Sequence, residues 1–148
     1  MEIVLGFGSN LGNREEFINT SYKLLEERLG IMIKKSLFIE TLAWGFESEN
    51  KFLNSVALFQ TDKTPIEALR ICNQIEKELG RVREGHTYQN RTIDIDILFY
   101  DDIILNTPEL IIPHPLIQKR DFVLIPLKEI LPQYVHPILK KKLKEIII

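Results

Sequence analysis

The stretch RTIDIDILFY, from Arg91 to Tyr100, restricts the fold more than any other part of this 148-residue chain. Ile93, Ile95, Ile97 and Phe99 alternate with Thr92, Asp94, Asp96 and Leu98. Read as a strand, one face is continuously apolar and the other carries two carboxylates. Like charges two residues apart stand roughly 6.5–7 Å from each other on one side of a strand and repel. Such a strand cannot lie between two apolar layers. It belongs in an antiparallel sheet with one face packed and the other left to water or ligand. The acidic face then has two readings: a solvated outer surface, or a site where something multiply positive sits between the carboxylates.

The periodicities elsewhere supply the rest of that sheet. EIVLGFG near the start reads as a short strand, and NREEFINTSYKLLEERLG as a helix. Asn13 and Glu16 have capping-box spacing, Phe17, Tyr22, Leu24, Leu25 and Leu29 lie near one stripe, and Gly30 is read as the stop. IMIKKSLFIE and FLNSVALFQT are two further strands, separated by a loop over Thr41 to Lys51. TPIEALRICNQIEKELG is a second helix with Thr64 as N-cap, Pro65 at its first position and Gly80 past its end. The polar loop RVREGHTYQN leads into the acidic strand.

The order β-α-β-β-α-β predicts the α+β class with a ferredoxin-like βαββαβ core. Its antiparallel sheet has four strands, both helices lie on one face, and the other face is open. C-terminal additions follow around LIIPHPLIQKRDFVLIPLKEI, where Pro113 and Pro115 break regular structure, and LKKKLKEIII forms a last turn or strand. A single domain over 1–148 is expected.

Charge and cysteine usage narrow the function. Net charge is −2, so no basic field draws the protein to nucleic acid or membrane. Cys72 is the only cysteine, which excludes an internal disulfide, fits a reducing cytoplasm and reads as a small core residue. MEIVLGFGSN lacks the features of a signal peptide, and no run approaches the roughly 20 apolar residues of a membrane helix. A cytoplasmic monomer with small-molecule partners is expected.

Gly6, Gly8 and Gly12 miss both the dinucleotide fingerprint and the P-loop, and are read as a tight strand-to-helix turn. Arg81, Arg83 and Arg91 bracket the loop ahead of Asp94 and Asp96. Those acids and arginines are either surface ion pairs or a polyphosphate–Mg²⁺ site, in which carboxylates hold the metal and guanidinium groups hold the phosphates. IPHPLIQKRDF adds His114, Lys119, Arg120 and Phe122. Phe52 and Asn54, two apart on one strand face, can stack on and hydrogen-bond a flat heterocycle.

Together these segments resemble the 6-hydroxymethyl-7,8-dihydropterin pyrophosphokinases of folate biosynthesis. The stretches that carry the likeness are GSNLGNRE, FLNSVA, GRVR, RTIDIDILFYDD and IPHPLIQKRDFVLIPL. The resemblance implies transfer of a diphosphate from ATP to the pterin's hydroxymethyl oxygen, releasing AMP. It implies that Asp94 and Asp96 hold two Mg²⁺ ions, and that they act in catalysis with Arg81 and Arg91. Glu76, Arg81, Arg83, Arg91, Ile97, His114 and Arg120 match positions on the nucleotide side. Phe52 and Phe122 match the pair that sandwiches the pterin, with Asn54 and the backbone at Thr41 and Leu42 on its hydrogen-bonding edge. The loops Ser9–Asn13, Thr41–Lys51 and Arg81–Asn90 match closing lids. The chain departs from the family pattern at Tyr88, where relatives carry tryptophan, and at Leu42 and Trp44, where relatives often carry prolines. An RNA-binding module of similar topology would show a basic, aromatic sheet face, which the acidic pair contradicts.

Overall fold

The computed structural model describes residues 1–42, 50–81 and 90–147. The elements are β1 (Glu2–Ser9), α1 (Arg14–Arg28), β2 (Gly30–Lys35), β3 (Ile39–Thr41), β4 (Phe52–Thr61), α2 (Pro65–Glu78) and β5 (Asp94–Tyr100). The C-terminal region adds the short strands β6 (Leu105–Asn106) and β7 (Ile111–Ile112) and a third helix, α3 (Asp121–Ile130). The main sheet runs β2-β4-β1-β5 with every pairing antiparallel, and β3 follows β2 along the outer side of β4. Among the described residues no helix is long and apolar enough to cross a membrane.

Local chemistry sets the helix ends. Asn13 Oδ1 accepts the Glu16 N–H at the start of α1, and a complete capping box between Thr64 and Glu67 opens α2 behind Pro65. Gly80 ends α2 with φ of +91°, a conformation that glycine adopts without strain. Gly30 has a different role from the expected stop. It is the first residue of β2, and a Cβ there would lie 1.9 Å from the Gln60 carbonyl oxygen, so close passage of two backbones requires glycine.

The expected second strand is two strands. Ser36 donates its N–H to the Val56 carbonyl and accepts the Val56 N–H on its own hydroxyl. That side chain stands in for a backbone acceptor, and the chain leaves the ladder until β3 begins.

Both α1 and α2 cover one face of the sheet. Ile18, Tyr22 and Leu25 of α1 and Ala68, Cys72 and Ile75 of α2 pack on Ile3, Leu5 and Phe7, on Ala57 and Phe59, and on Ile95 and Ile97. Cys72 is fully buried, as expected of a core residue.

The opposite face is divided, and here the structure corrects an expectation. Val4, Val56, Leu58, Leu98 and Phe99 are covered by Val123, Leu124, Leu127 and Ile130 of α3 together with Ile117, Leu143 and Ile146. Only the other half of that face is open. The prolines concealed α3: Pro126 lies inside it, where it removes one helical hydrogen bond but still packs inward. The alternation expected along Ile93 to Phe99 also changes. Val4 pairs with Phe99 and Leu5 with Ile97, so a bulge at Leu98 turns Phe99 toward α3 and Tyr100 toward the helix-covered core. Gly6 and Gly8 lie within β1, and only Gly12 (φ +67°) sits in the turn that they were expected to form.

A methyl at position 30 has no room beside the Gln60 carbonyl. Gly30→Ala is expected to lower unfolding free energy by about 1–3 kcal/mol, the usual cost of overpacking, as measured by denaturant titration.

Candidate active site

The open half of the second face forms a cleft of about 560 Å³, including its mouth. Its floor is formed by the three adjacent strands β4, β1 and β5. Gly8 of β1 lies between Asn54 of β4 and Asp94 of β5, and Gly6 lies between Val56 and Asp96. One wall is Phe52 with Thr41 and Leu42, and the other is Arg120, Phe122 and Val123 at the start of α3. The alternation of β5 aims both carboxylates into the cleft while Ile95 and Ile97 enter the core beneath.

The acidic end rests on a buried charge cluster. Gly80 reverses the chain so that the Arg81 N–H returns to the Glu76 carbonyl. The Arg81 guanidinium then reaches Glu76 Oε2 and Asp94 Oδ1, each at 2.6 Å. Glu76 is 2% exposed and also accepts the Ile95 N–H, so this carboxylate orients Arg81 and the strand from behind the cleft. Arg91 approaches Asp94 Oδ2 at 3.3 Å, and its guanidinium lies over the Phe52 ring. Arg120 lies over the Phe122 ring in the same way.

The two aspartates share this environment unequally. Burial raises the Asp94 pKa, but Arg91 and Arg81 outweigh it and hold the carboxyl below the usual range. Burial and the neighbouring Asp94 charge push Asp96 well above that range, and Asp96 hydrogen-bonds Asp94. Without a counter-ion, one proton therefore relieves the repulsion between them. His114 is held neutral: burial and the Arg120 charge lower its pKa to about 4. Its Nδ1 accepts the Leu116 N–H, which places the ring proton on Nε2 as a donor.

Asn10, 3% exposed, joins the two ends of the cleft. Its Oδ1 accepts the Arg91 N–H, its own N–H donates to the Arg91 carbonyl, and its Nδ2 donates to Asn90 Oδ1 and the Asn50 carbonyl. On the aromatic side, Asn54 Nδ2 donates to Thr41 Oγ1.

Of the residues singled out from sequence, Thr41, Leu42, Phe52, Asn54, Arg91, Asp94, Asp96, Arg120 and Phe122 line one cleft. Glu76 and Arg81 support it from below, and the Ile97 side chain lies in the core. His114 lies within the electrostatic reach of Arg120 and Asp94. Arg83, Trp44 and Tyr88 lie outside the described residues, as does most of two of the three loops expected as lids, Thr41–Lys51 and Arg81–Asn90. The glycine floor, the Asn10 clasp and the Thr41 hydroxyl were not anticipated as parts of the site. A small residue on the acid-bearing face was the available signal for the first, and a buried-type amide directly after a strand for the second.

The donor set suits a hard dication. Among the described residues no three His, Cys, Asp or Glu side chains converge, so an ion here would take carboxylate oxygens from Asp94 and Asp96 and complete its shell with phosphate oxygens and water. Such an ion would supply the positive charge that burial and Asp94 otherwise make Asp96 seek from a proton.

Comparison with known proteins agrees over nearly the whole chain. The family model described as 7,8-dihydro-6-hydroxymethylpterin-pyrophosphokinase matches residues 4–132. The 2-amino-4-hydroxy-6-hydroxymethyldihydropteridine pyrophosphokinase of Aquifex aeolicus is 46% identical over 97% of this chain and 88% of its own length. The enzyme of that name from Bacillus subtilis is 39% identical over 87% of this chain and 77% of its own. Among solved structures, wild-type Plasmodium falciparum HPPK-DHPS with pteroate superposes with a TM-score of 0.78 at 16% identity, a likeness of fold. The match covers 97% of this chain and 43% of that longer one.

The unequal aspartates predict a pH signature in the metal-free protein. Asp96 binds its proton more tightly folded than unfolded, so its contribution is present at low pH and is lost as pH rises through the elevated pKa. Asp94 has the opposite sign, stabilising above the ordinary carboxylate pKa and losing that contribution as pH falls through its depressed value. Thermal melts of Asp96→Asn without Mg²⁺ are expected to match or exceed the parent, by a margin that widens with pH above the ordinary carboxylate range. A variant that melts far below the parent at every pH would assign Asp96 a structural role.

Proposed function

Since the chain belongs to the 7,8-dihydro-6-hydroxymethylpterin-pyrophosphokinase family and transfers diphosphate from ATP to hydroxymethyldihydropterin in folate biosynthesis, we propose that the transfer takes place in this cleft. One observation carries the assignment. The carboxylate pair and the Phe52–Asn54 pair share one sheet face, separated only by the glycines of β1.

In this reading Phe52 and Phe122 stack on the two faces of the pterin, with Asn54 and the backbone at Thr41 and Leu42 on its polar edge. The ATP phosphates lie over β5. Asp94 and Asp96 would hold two Mg²⁺ ions, whose charge would offset that of the triphosphate and ease loss of the alcohol proton. Arg91 and Arg120 are placed to leave their ring faces and donate to phosphate, and the resemblance adds Arg83. His114 contributes a neutral Nε2–H donor. Glu76 and Arg81 keep Asp94 ionised and aimed.

The reaction asks the chain for position and field more than for covalent chemistry. The hydroxymethyl oxygen forms a bond to the β-phosphorus, the bond from that phosphorus to the α–β bridging oxygen breaks, and the alcohol proton is released. AMP leaves, and the pterin carries both outer phosphates. The guanidinium groups stabilise charge that builds on the departing oxygen, and the apolar walls of Phe52, Phe122 and Val123 limit water as a competing nucleophile. The antiparallel order β2-β4-β1-β5 supports reading the core as ferredoxin-like, a topology that sets the two half-sites side by side.

Phosphorus NMR of ATP, Mg²⁺ and hydroxymethyldihydropterin with the enzyme is expected to show AMP and a pterin bearing two coupled phosphorus resonances in equal amounts. ADP with a single uncoupled phosphate ester would move the attack to the γ-phosphorus and refute this arrangement. Asp96→Asn is expected to lose most turnover.

Phe122→Ala tests the ring wall. Loss of a buried aromatic contact is expected to weaken pterin binding by roughly 1–3 kcal/mol and leave ATP binding nearly unchanged in calorimetric titration. Equal losses for both ligands would indicate collapse of the α3 end instead.

A further inference from the structure

Gly8 is the residue between the two half-sites, and its backbone does not explain its identity. The described glycines with positive φ are Gly12 and Gly80, so position 8 is ordinary strand that any residue can adopt. What distinguishes it is the space above. A Cβ at position 8 would lie 3.2 Å from Asn54 Oδ1 and 3.6 Å from the Phe52 ring, and it would point into the cleft. At Gly6 the nearest atom to such a Cβ is a Leu98 methyl at 3.3 Å, a core-side neighbour.

Adjacent strands are about 4.8 Å apart, so Asn54 and Asp94, one strand to either side of Gly8, stand roughly 9.5 Å apart across it. The amide is held in place by Thr41 and the carboxylate by Arg81 and Arg91. Both anchors are therefore rigid, and the strip between them is bare backbone.

We propose that Gly8 determines substrate specificity, as the side-chain-free span that the long edge of a flat bicyclic ring crosses between Phe52 and Phe122, with its polar end at Asn54 and its alcohol at the phosphate centre beside Asp94. The proposal rests on the reading of the cleft given above. Two fused six-membered rings with a one-carbon arm bridge the span, and a single ring does not. A methyl at position 8 obstructs the ring twice, once as bulk on the floor and once by pressing the Asn54 amide and the Phe52 ring edge out of line.

The test is Gly8→Ala. Because the backbone at 8 suits alanine and the change restricts the unfolded chain, the melting temperature is expected to stay within about 2 °C of the parent or to rise. The Kd for hydroxymethyldihydropterin is expected to rise at least about tenfold, and that for a non-hydrolysable ATP analogue with Mg²⁺ to stay within about twofold. An unchanged pterin Kd would overturn the proposal, and so would parallel loss of both ligands or a steep fall in melting temperature, which mark a packing role. The parent enzyme provides a second measurement that needs no variant. A monocyclic 2-amino-4-oxopyrimidine bearing a hydroxymethyl group is expected to compete with the pterin but to receive no diphosphate, and its turnover at the pterin's rate would refute the span. Failure of the cleft reading itself is distinct: there Phe122→Ala would leave pterin binding untouched in the parent background.

Discussion

The Arg81 guanidinium between Glu76 and Asp94 is the contact on which the open half of the molecule depends. Glu76 is almost wholly buried, and a buried carboxylate persists only when its charge and lone pairs are met. Arg81 meets one oxygen and the Ile95 amide shares it, which fastens the end of α2 to the first residues of β5. The same guanidinium helps Arg91 hold Asp94 ionised, and that charge adds to burial in raising the Asp96 pKa. Register, charge state and the direction in which both carboxylates point all follow from that junction.

The division of the second sheet face follows from side-chain chemistry along three neighbouring strands. At one end Val4, Leu58 and Phe99 present enough apolar surface to demand a cover, and α3 provides it. At the other end Gly6, Gly8, Asn54, Asp94 and Asp96 offer nothing for an apolar helix to gain, so α3 stops at the boundary and its first residues become a wall. The bulge at Leu98 sharpens the boundary by turning Leu98 and Phe99 to the same side as the aspartates. A cleft with an apolar wall and an ionic floor is the consequence, the mixture that ligand sites commonly show.

Asn10 links the two halves of that cleft. Through one buried amide it touches the backbone at Asn50, two residues before Phe52, and both the backbone and the lead-in to Arg91. Arg91 in turn contacts Asp94 and covers Phe52. Movement of the chain on the aromatic side is therefore felt at the charged side through a short series of hydrogen bonds. Such a connection accounts for how two chemically different ligand surfaces keep their relative position across a strand that has only Gly6 and Gly8 between them.

Much of this was legible without coordinates. The strand periodicities, the caps at Asn13 and Thr64 and the stop at Gly80 are local, because they depend on residues a few positions apart whose preferences act through short-range sterics and hydrogen bonds. The acidic pair on β5 required an uncovered face for the same kind of reason. Phe52, Asn54, Arg91, Asp94 and Asp96 could be singled out from motif and spacing, Arg120 and Phe122 through the family resemblance, and they converge. Tertiary structure decided what depends on partners distant in sequence. Gly30 is glycine because Gln60 passes within contact distance, Gly8 faces Asn54 and Asp94 because of strand order, and the strand after Ile31 divides because Ser36 meets Val56. Helix α3 forms across Pro126 because the apolar half-sheet beneath it offers more than one lost hydrogen bond costs. Local preference is written in neighbouring residues, whereas close approach, burial and charge state exist only once strands far apart in the chain have been brought side by side.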